Sequence, residues 1–272
     1  MYSVDKKYYP YDVAISFIID FAPHYVHKYL NLCGVYKESR SRFVFTSEGN
    51  KYEMDGLFLV GEDNIVLFTN ALIDLEHQSY PVGDEKAMTI VNYCLNTAVR
   101  YNLPVIPVIL TDYDSYIKSR KEFKYGPSLN LKPFYYYRTL DEIWKIIYSL
   151  EDKNRNNEIL SDEDSLNIAI LPVISPKNKG REITRRFIDI YLNSRIEDEL
   201  LRLFAVFSLS MMVNNYFEPV EQLKLYEELN MEANISCFEK VAYEEIVFQY
   251  RELVSEHDQL VFDYDQLVFD YD

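Results

Sequence analysis

Apolar side chains recur in pairs at a helical period near the start of the chain. This spacing forms one apolar stripe and predicts a helix over residues 11–32. Pro23 has no backbone N–H to donate, so we expect the helix to kink or divide there, and Gly34 can end it. The pairs are Val13/Ala14, Phe17/Ile18, Phe21/Ala22, Tyr25/Val26 and Tyr29/Leu30.

A β-rich block follows, in which short apolar runs alternate with turn residues. We predict strands at residues 42–46, 51–60, 65–68 and 71–78. A helix from Asp84 to about residue 101 comes next, and then a continuous apolar run at residues 103–111. The order strand, helix, strand predicts that the strands at 71–78 and 103–111 are parallel.

The pattern becomes mainly helical in the second half of the chain. Residues 113–132 are charged and predict a loop, and residues 133–137 predict an edge strand. Thr139 and Glu142 form a capping-box pattern for a helix that ends near residue 150. A short helix after Ser161 and a helical stretch over residues 180–257 complete the prediction.

These elements predict an α/β fold with a central mixed β-sheet flanked by helices, followed by a helical C-terminal part. We expect an α/β domain at residues 1–150 and a helical region at 151–257, because residues 153–158 are polar and resemble a linker. Residues 258–272 repeat the acidic heptad DQLVFDY. Two heptads are too few for a stable coiled coil, so we expect a frayed tail.

Composition narrows the classes of function. The chain of 272 residues has 7 glycines and no GxGxxG or Walker-type loop, which argues against a nucleotide-binding fold. Three widely spaced cysteines and the absence of a signal-peptide pattern predict a cytoplasmic protein. The longest apolar stretch, residues 200–213, is shorter than the roughly 20 residues of a membrane span, so we expect no membrane association.

The net charge of −16 is unevenly distributed. Residues 1–150 hold 18 acids and 16 bases, whereas residues 151–272 hold 26 acids and 12 bases. The nearly neutral first part allows a local basic surface for phosphate, and the acidic second part suits a solvated appendage or a basic protein partner. Two basic groups are candidates for phosphate contact, although a solvated surface is the simpler interpretation of each. They are Lys118, Arg120, Lys121 and Lys124 beside Tyr116, Phe123 and Tyr125, and Arg181, Arg185 and Arg186.

The candidate chemistry lies in the predicted strand ALIDLEHQ. Side chains alternate across a strand, so Asp74, Glu76 and Gln78 share one face and His77 points to the other. Buried carboxylates cost free energy unless a cation or hydrogen-bond donors compensate them. Asp55, on or near the end of another predicted strand, could hold one Mg²⁺ ion together with Glu76.

Asp55, followed by Glu76-His77-Gln78, a helix and the run LPVIPVIL, resembles the recombination-promoting nuclease/putative transposase family of the PD-(D/E)xK superfamily. The segment ILSDEDSLNIAILPVI at residues 159–174 is also similar to that family, and LYEELNM at residues 225–231 extends the likeness. The resemblance implies a restriction-endonuclease-like fold and a metal-dependent DNA endonuclease linked to recombination or mobile elements.

The resemblance also implies roles for individual residues. Asp55 and Glu76 would hold Mg²⁺ or Mn²⁺, and Gln78 would replace the lysine of the superfamily motif. Since Gln78 is uncharged, a cation from the next helix would be needed, and Lys86 is the nearest candidate. An acid on the first helix would be Asp20, which we favour over Asp12.

Other interpretations remain open at this point. Glu76 and Gln78 could line the solvent face of a half-exposed strand, and Asp55 could be a turn acid before Gly56. The protein could be a nuclease-like module that binds DNA without cleaving it, or an interaction protein whose acidic helical part recruits basic partners. The expected partner is DNA, and self-association into a homo-oligomer stays open.

Overall fold

The structure is a computed structural model that describes residues 10–41, 43–45, 51–62, 70–125 and 129–233. The helices in these ranges are α1 (Pro10–Phe21), α2 (Pro23–Tyr29), α3 (Asp84–Tyr101), α4 (Tyr113–Lys118), α5 (Leu140–Arg155), α6 (Asp162–Ile170), α7 (Gly180–Leu192), α8 (Glu199–Tyr216) and α9 (Pro219–Ala233). The strands are β1 (Val35–Ser39), β2 (Phe43–Phe45), β3 (Lys51–Glu53), β4 (Gly56–Gly61), β5 (Asn70–Gln78), β6 (Val105–Thr111), β7 (Phe123–Tyr125), β8 (Leu129–Leu131) and β9 (Phe134–Tyr136).

Five strands form a mixed central sheet in the order β1-β4-β5-β6-β9. The pairs β1–β4 and β4–β5 are antiparallel, whereas β5–β6 and β6–β9 are parallel. Helix α3 connects β5 to β6, which confirms the predicted crossover. The protein is therefore an α/β protein with a mixed sheet flanked by helices and a helical C-terminal part, as the sequence predicted.

The strand predicted over residues 51–60 is divided, so that prediction was wrong in its extent. Its first half is β3, which pairs with β2 in a separate two-stranded sheet, and its second half is β4 in the central sheet. Asp55 lies in the bend between them. The chain changes sheets at this point, and a continuous apolar pattern does not reveal such a change.

Other local predictions have mixed outcomes. The first helix divides at Pro23, and the capping box of Thr139 and Glu142 begins α5, both as predicted. The predicted loop at 113–132 was wrong, because it contains α4 and the β7–β8 hairpin. The strand predicted at 65–68, the helical pattern beyond residue 233 and the tail at 258–272 lie outside the described residues.

The two faces of the central sheet are covered by different helices. One face packs against α3 through residues such as Ile90, Val91 and Ile109. The other face contributes Phe58, Ile73 and other apolar residues to a large cluster with α1, α5, α6, α7 and α8. Helix α8 is buried along most of its length and packs against α1, α6, α7 and α9.

The apolar core includes residues from both sides of position 151. Phe17 of α1 packs its ring against Phe204 and Phe207 of α8, with centroids 5.5 and 4.1 Å apart. The Tyr29 hydroxyl donates to Asn167 Oδ1 at 2.8 Å. Residue 151 itself lies within α5. The division into domains at this residue stays a prediction.

The helices of the described ranges do not include one that is both long enough and apolar enough to cross a membrane.

Candidate carboxylate site on the central sheet

Strand β5 carries polar side chains on the face covered by α3. Asp74 and Glu76 are buried there, with exposed fractions of 0% and 3%. His77 is also buried but lies on the opposite face, where its ring centroid is 6.1 Å from that of Tyr11 on α1. The predicted alternation is confirmed. The alternative that Glu76 lines a solvent-exposed face was wrong, because α3 covers it.

Asp55 reaches β5 from the start of β4. The antiparallel register pairs Gly56 with Leu75, so continuing it by one residue places Asp55 opposite Glu76. The Asp55 carboxylate accepts a hydrogen bond from the His77 backbone N–H through Oδ2 at 2.6 Å. This bond orients the half-buried carboxylate toward the strand that carries Glu76.

Lys86 completes the group from the first turn of α3. Its Nζ lies 3.0 Å from Glu76 Oε2, and 5.8 Å from the ring centroid of Tyr93 further along the same helix. Helix α3 begins eight residues after Glu76, and the contact between Lys86 and Glu76 shows that its N-terminal end lies over the end of β5. The structure thus brings together Asp55, Glu76 and Lys86, three residues selected from the sequence.

Burial and neighbouring charges perturb the acids of this site. Burial raises the pKa of Glu76 well above its usual range, the Asp55 carboxylate raises it further, and Lys86 opposes both. Burial also raises the pKa of Asp74 to about 7. The Cys94 thiol donates a hydrogen bond to Asp74 Oδ2 at 3.5 Å, which opposes this rise. Burial would lower the pKa of Lys86, but the Glu76 carboxylate outweighs it, and the net effect is a raised pKa.

Two buried carboxylate oxygens lack hydrogen-bond partners among the described residues. They are Glu76 Oε1 and Asp74 Oδ1. Buried polar atoms without partners are rare because each loses its interactions with water and gains nothing in return. A hard divalent cation between Asp55 and Glu76 would compensate Glu76 Oε1 with the oxygen ligands that such ions prefer.

The donor set for a metal is therefore a pair of carboxylates. In the part of the chain that the structure describes, no group of three or more His, Cys, Asp and Glu residues is suited to hold a metal ion. The chemistry of the pair fits Mg²⁺, which keeps several waters and uses one or two carboxylates together with substrate phosphates.

The other two predicted site residues are Gln78 and Asp20. Gln78 is half-exposed at the end of β5, where its backbone carbonyl accepts a hydrogen bond from Thr111 Oγ1 at 2.5 Å. Asp20 is exposed on α1, next to Ile19. The Ile19 side chain lies close to Gly56 at the start of β4, because a Cβ atom added at Gly56 would be only 2.9 Å from Ile19 Cγ2. Helix α1 therefore passes the start of β4, and the roles of Gln78 and Asp20 stay predictions. Asp12 is on α1 too, but its side chain is outside the described part.

The sequence interpretation assigned no role to Asp74, Tyr93 or Cys94. Asp74 shares the strand face with Glu76, so the alternation already marked it. Tyr93 and Cys94 follow Lys86 by seven and eight residues, a spacing that returns to the same side of a helix. Helical periodicity counted from Lys86 would have identified both residues.

The second basic group is neutralised by nearby acids. Arg181 pairs with Glu221 at 2.7 Å, and Arg186 pairs with Glu151 at 3.2 Å. Arg185 lies 3.0 Å from Asp189 and 3.5 Å from Glu228. These pairs favour the simpler interpretation of this group as a solvated surface.

Comparisons of the chain with family models, with curated proteins and with solved structures found no match. The family resemblance therefore rests on the motif residues alone and stays a prediction.

Proposed function

We propose that this protein is a metal-dependent DNA endonuclease that hydrolyses phosphodiester bonds, with Asp55 and Glu76 as metal ligands in a restriction-endonuclease-like fold. The observation that carries the proposal is the buried Glu76 carboxylate, which has one oxygen on Lys86 and one without a partner, opposite Asp55. An acid buried in this way is expected where a cation is bound during function.

Mg²⁺ or Mn²⁺, when bound, would supply a nucleophilic water at neutral pH and stabilise charge on the phosphate. The protein would hold this ion through Asp55 and Glu76. The Asp55 carboxylate is held in place by the His77 N–H, so it is oriented before the ion binds. Lys86, with its pKa raised, stays protonated and supplies the positive charge that Gln78 lacks. Gln78 would donate from its amide to the phosphate or to the attacking water.

Cleavage of plasmid DNA tests this proposal. We expect the wild type to nick or linearise supercoiled plasmid in the presence of Mg²⁺ or Mn²⁺. Addition of EDTA should abolish this cleavage. Glu76→Gln keeps the shape of the side chain but removes its charge, so it should reduce the rate by at least about 100-fold. Glu85→Gln is the matched control, because Glu85 is an exposed acid next to Lys86 on α3; it should cleave like the wild type.

Metal binding provides a second, independent measurement. Calorimetric titration with Mn²⁺ should give a binding signal for the wild type and for Glu85→Gln, and none for Glu76→Gln or Asp55→Asn. Equal cleavage by the wild type and Glu76→Gln would refute the assignment. Wild-type protein that binds no Mn²⁺ with or without DNA would refute it as well.

A second candidate function is a nuclease-like protein that binds DNA without cleaving it. The observation in its favour is that Lys86 already pairs with Glu76, while Gln78 stands where the superfamily motif has lysine. Retention of DNA in a gel-shift experiment, without cleavage under any metal condition, would support this candidate over the enzyme.

A further inference from the structure

Four half-buried tyrosines and one exposed lysine form a surface cluster at the carboxyl ends of β6 and β9. Tyr116 and Tyr137 stack with ring centroids 4.0 Å apart and planes inclined by 18°. Tyr135 approaches the Tyr116 ring edge-on at 5.3 Å, and Tyr113 lies 5.5 Å from Tyr137. We call Tyr113, Tyr116, Tyr135, Tyr137 and Lys121 the tyrosine platform.

The platform keeps a positive charge over its rings. Lys121 Nζ lies 3.1 Å from the ring centroid of Tyr116 and 4.8 Å from that of Tyr135, and it donates to the backbone carbonyl of Tyr116. Lys121 is exposed, so a ligand can displace its flexible side chain at little cost. A flat aromatic group would then occupy the ring face, and the ammonium would be available to an anion next to it.

The charge around the platform differs in sign from that of the whole chain. Residues 112–138, which span the platform, contain six basic and three acidic residues, a local charge of +3 in a protein of net charge −16. Two of the basic residues pair with acids, Arg120 with Asp84 and Lys132 with Glu122. Such a contrast concentrates anions at this place and repels them elsewhere. The preferred ligand is therefore an anion that also carries flat aromatic faces.

Hydrogen bonds join the residues just before Lys121 to the segment that leads into α3. The Val82 N–H donates to Ser119 Oγ at 2.9 Å, and the Arg120 N–H donates to the Val82 carbonyl at 3.1 Å. Arg120 also pairs with Asp84, the first residue of α3. Lys86 follows two residues later, so the segment that presents Lys86 to Glu76 is attached to the platform.

We propose that the tyrosine platform binds an unpaired base of single-stranded DNA beside the site of cleavage. This inference rests on the proposed nuclease function and specifies its substrate. The base stacks on the ring of Tyr116 in the place of the Lys121 ammonium, and Lys121 contacts the neighbouring phosphate. Lys118 and Lys124, which are exposed and lie three residues before and after Lys121 in the sequence, extend the phosphate-binding surface.

Unpaired bases fit this surface better than an intact duplex. In a duplex the base faces are stacked on one another, and side chains reach only base edges and phosphates. Aromatic side chains beside a basic groove are the common solution for single strands, since every base has a face that can stack. The platform offers ring faces below the displaceable Lys121 side chain, and such faces suit the bases of a single strand.

Fluorescence anisotropy in EDTA tests the inference without cleavage. The probes are a labelled oligo-dT of about 15 nucleotides and a duplex of the same length. Tyr116→Leu removes the aromatic face and should weaken oligo-dT binding about 10-fold, while Tyr116→Phe should stay within about 2-fold of the wild type. Duplex binding should change by less than about 2-fold in both variants. Tyr137→Leu repeats the test at the second stacked ring, and thermal unfolding checks that each variant is folded.

Two matched controls are available in the chain. Tyr148 is exposed on α5 and stacks on Trp144 with centroids 6.0 Å apart, so Tyr148→Leu removes a comparable ring away from the platform. It should bind like the wild type. Lys121→Gln should reduce the magnitude of the slope of log affinity against log salt by about 0.7, the value for one phosphate contact on a single strand. Lys224→Gln, on α9, should leave that slope unchanged.

Several results would overturn the inference. One is that Tyr116→Leu and Tyr137→Leu both bind oligo-dT with wild-type affinity, and another is that they lose affinity equally for duplex and oligo-dT. A third is that the wild type binds polyglutamate as tightly as oligo-dT, which would indicate a surface for acidic peptides. Failure of the platform is distinguishable from failure of the nuclease proposal. A wild type that cleaves DNA with metal but shows no selective binding of single strands overturns only the platform. A wild type that binds single strands through the platform but does not cleave DNA overturns only the enzyme.

Discussion

Two acids, Asp74 and Glu76, determine the electrostatics of β5 because α3 removes them from water. Each has one oxygen with a partner and one without. The protein therefore contains an unfavourable charge arrangement in the middle of its most regular structure. Native proteins retain such arrangements mainly where function requires them.

Asp74 should make the protein less stable as the pH rises. Its pKa is raised from 3.8 to about 7, so between these values the folded state binds more protons than the unfolded state, and the free energy of unfolding falls with increasing pH. Asp74→Asn removes this dependence, which amounts to up to about 4 kcal/mol. We expect the variant to match the wild type near pH 4 and to exceed it above pH 7 in urea unfolding with EDTA present. A constant difference between the two proteins at all pH values would contradict titration of Asp74 as the cause.

Lys86 should stabilise the fold mainly through Glu76, the acid that its ammonium contacts at 3.0 Å. Lys86→Met leaves the Glu76 carboxylate buried without a counter-charge, and we expect a loss of about 2 kcal/mol at pH 7. In the double variant with Glu76→Gln this loss should nearly disappear, because no charge remains to be compensated. Chemical unfolding of the four proteins gives the coupling energy. Added Mn²⁺ should restore stability to Lys86→Met but not to the double variant.

Alternation along one strand was sufficient to predict which side chains of β5 share a face. It placed Asp74, Glu76 and Gln78 on one face and His77 on the other, whereas Asp55 was selected as an upstream acid and Lys86 as the nearest cation on the next helix. The bond from the His77 N–H to Asp55 could not be predicted, because it depends on the chain leaving one sheet and entering another at residues 54–55. Sequence patterns report burial, but they do not report which sheet a strand joins.

At the scale of elements, the long and strongly patterned segments were predicted best. Helix α3, strand β6 and the capping box of α5 agree with the sequence interpretation. Strand β1 was missed because four of its five residues are exposed, so it has little apolar pattern. Helix α4 was missed because it has only six residues, although Asp112 caps it by accepting from the Ser115 N–H at 2.9 Å.

The contact of α7 with α8 should be sensitive to one added methyl group. A Cβ atom at Gly180 would overlap the ring of Tyr216, whose hydroxyl lies 2.6 Å from that of Tyr11 on α1. Gly180→Ala should therefore destabilise the protein by about 2 kcal/mol, although alanine normally favours a helix. Gly83→Ala is the control, since nothing lies within 4 Å of its added Cβ. Gly83 is the N-cap of α3, where alanine is less favourable, so the change in stability should stay below about 1 kcal/mol. Thermal unfolding compares the two, and equal melting temperatures would contradict the packing argument.

At the scale of the whole molecule, one apolar cluster extends from α1 to α9. Phe17 contacts α8, and α5 passes through the predicted domain boundary, so the described parts on either side of residue 151 share their core. We expect them to unfold together. Fluorescence of Trp144, the one tryptophan of the chain, reports α5, and far-ultraviolet circular dichroism reports all helices. Coincident urea transitions by the two methods would support a single cooperative unit, and separated transitions would support independent domains.

The parallel half of the central sheet has an evolutionary consequence. Strands β5, β6 and β9 all run the same way, so the segments that follow them emerge along one border of the molecule. The acids sit on the strands beneath this border, whereas the tyrosines belong mostly to the segments above it. Under the proposed function, exchange of those segments during evolution would change the ligand that is bound, while the acids stay unchanged.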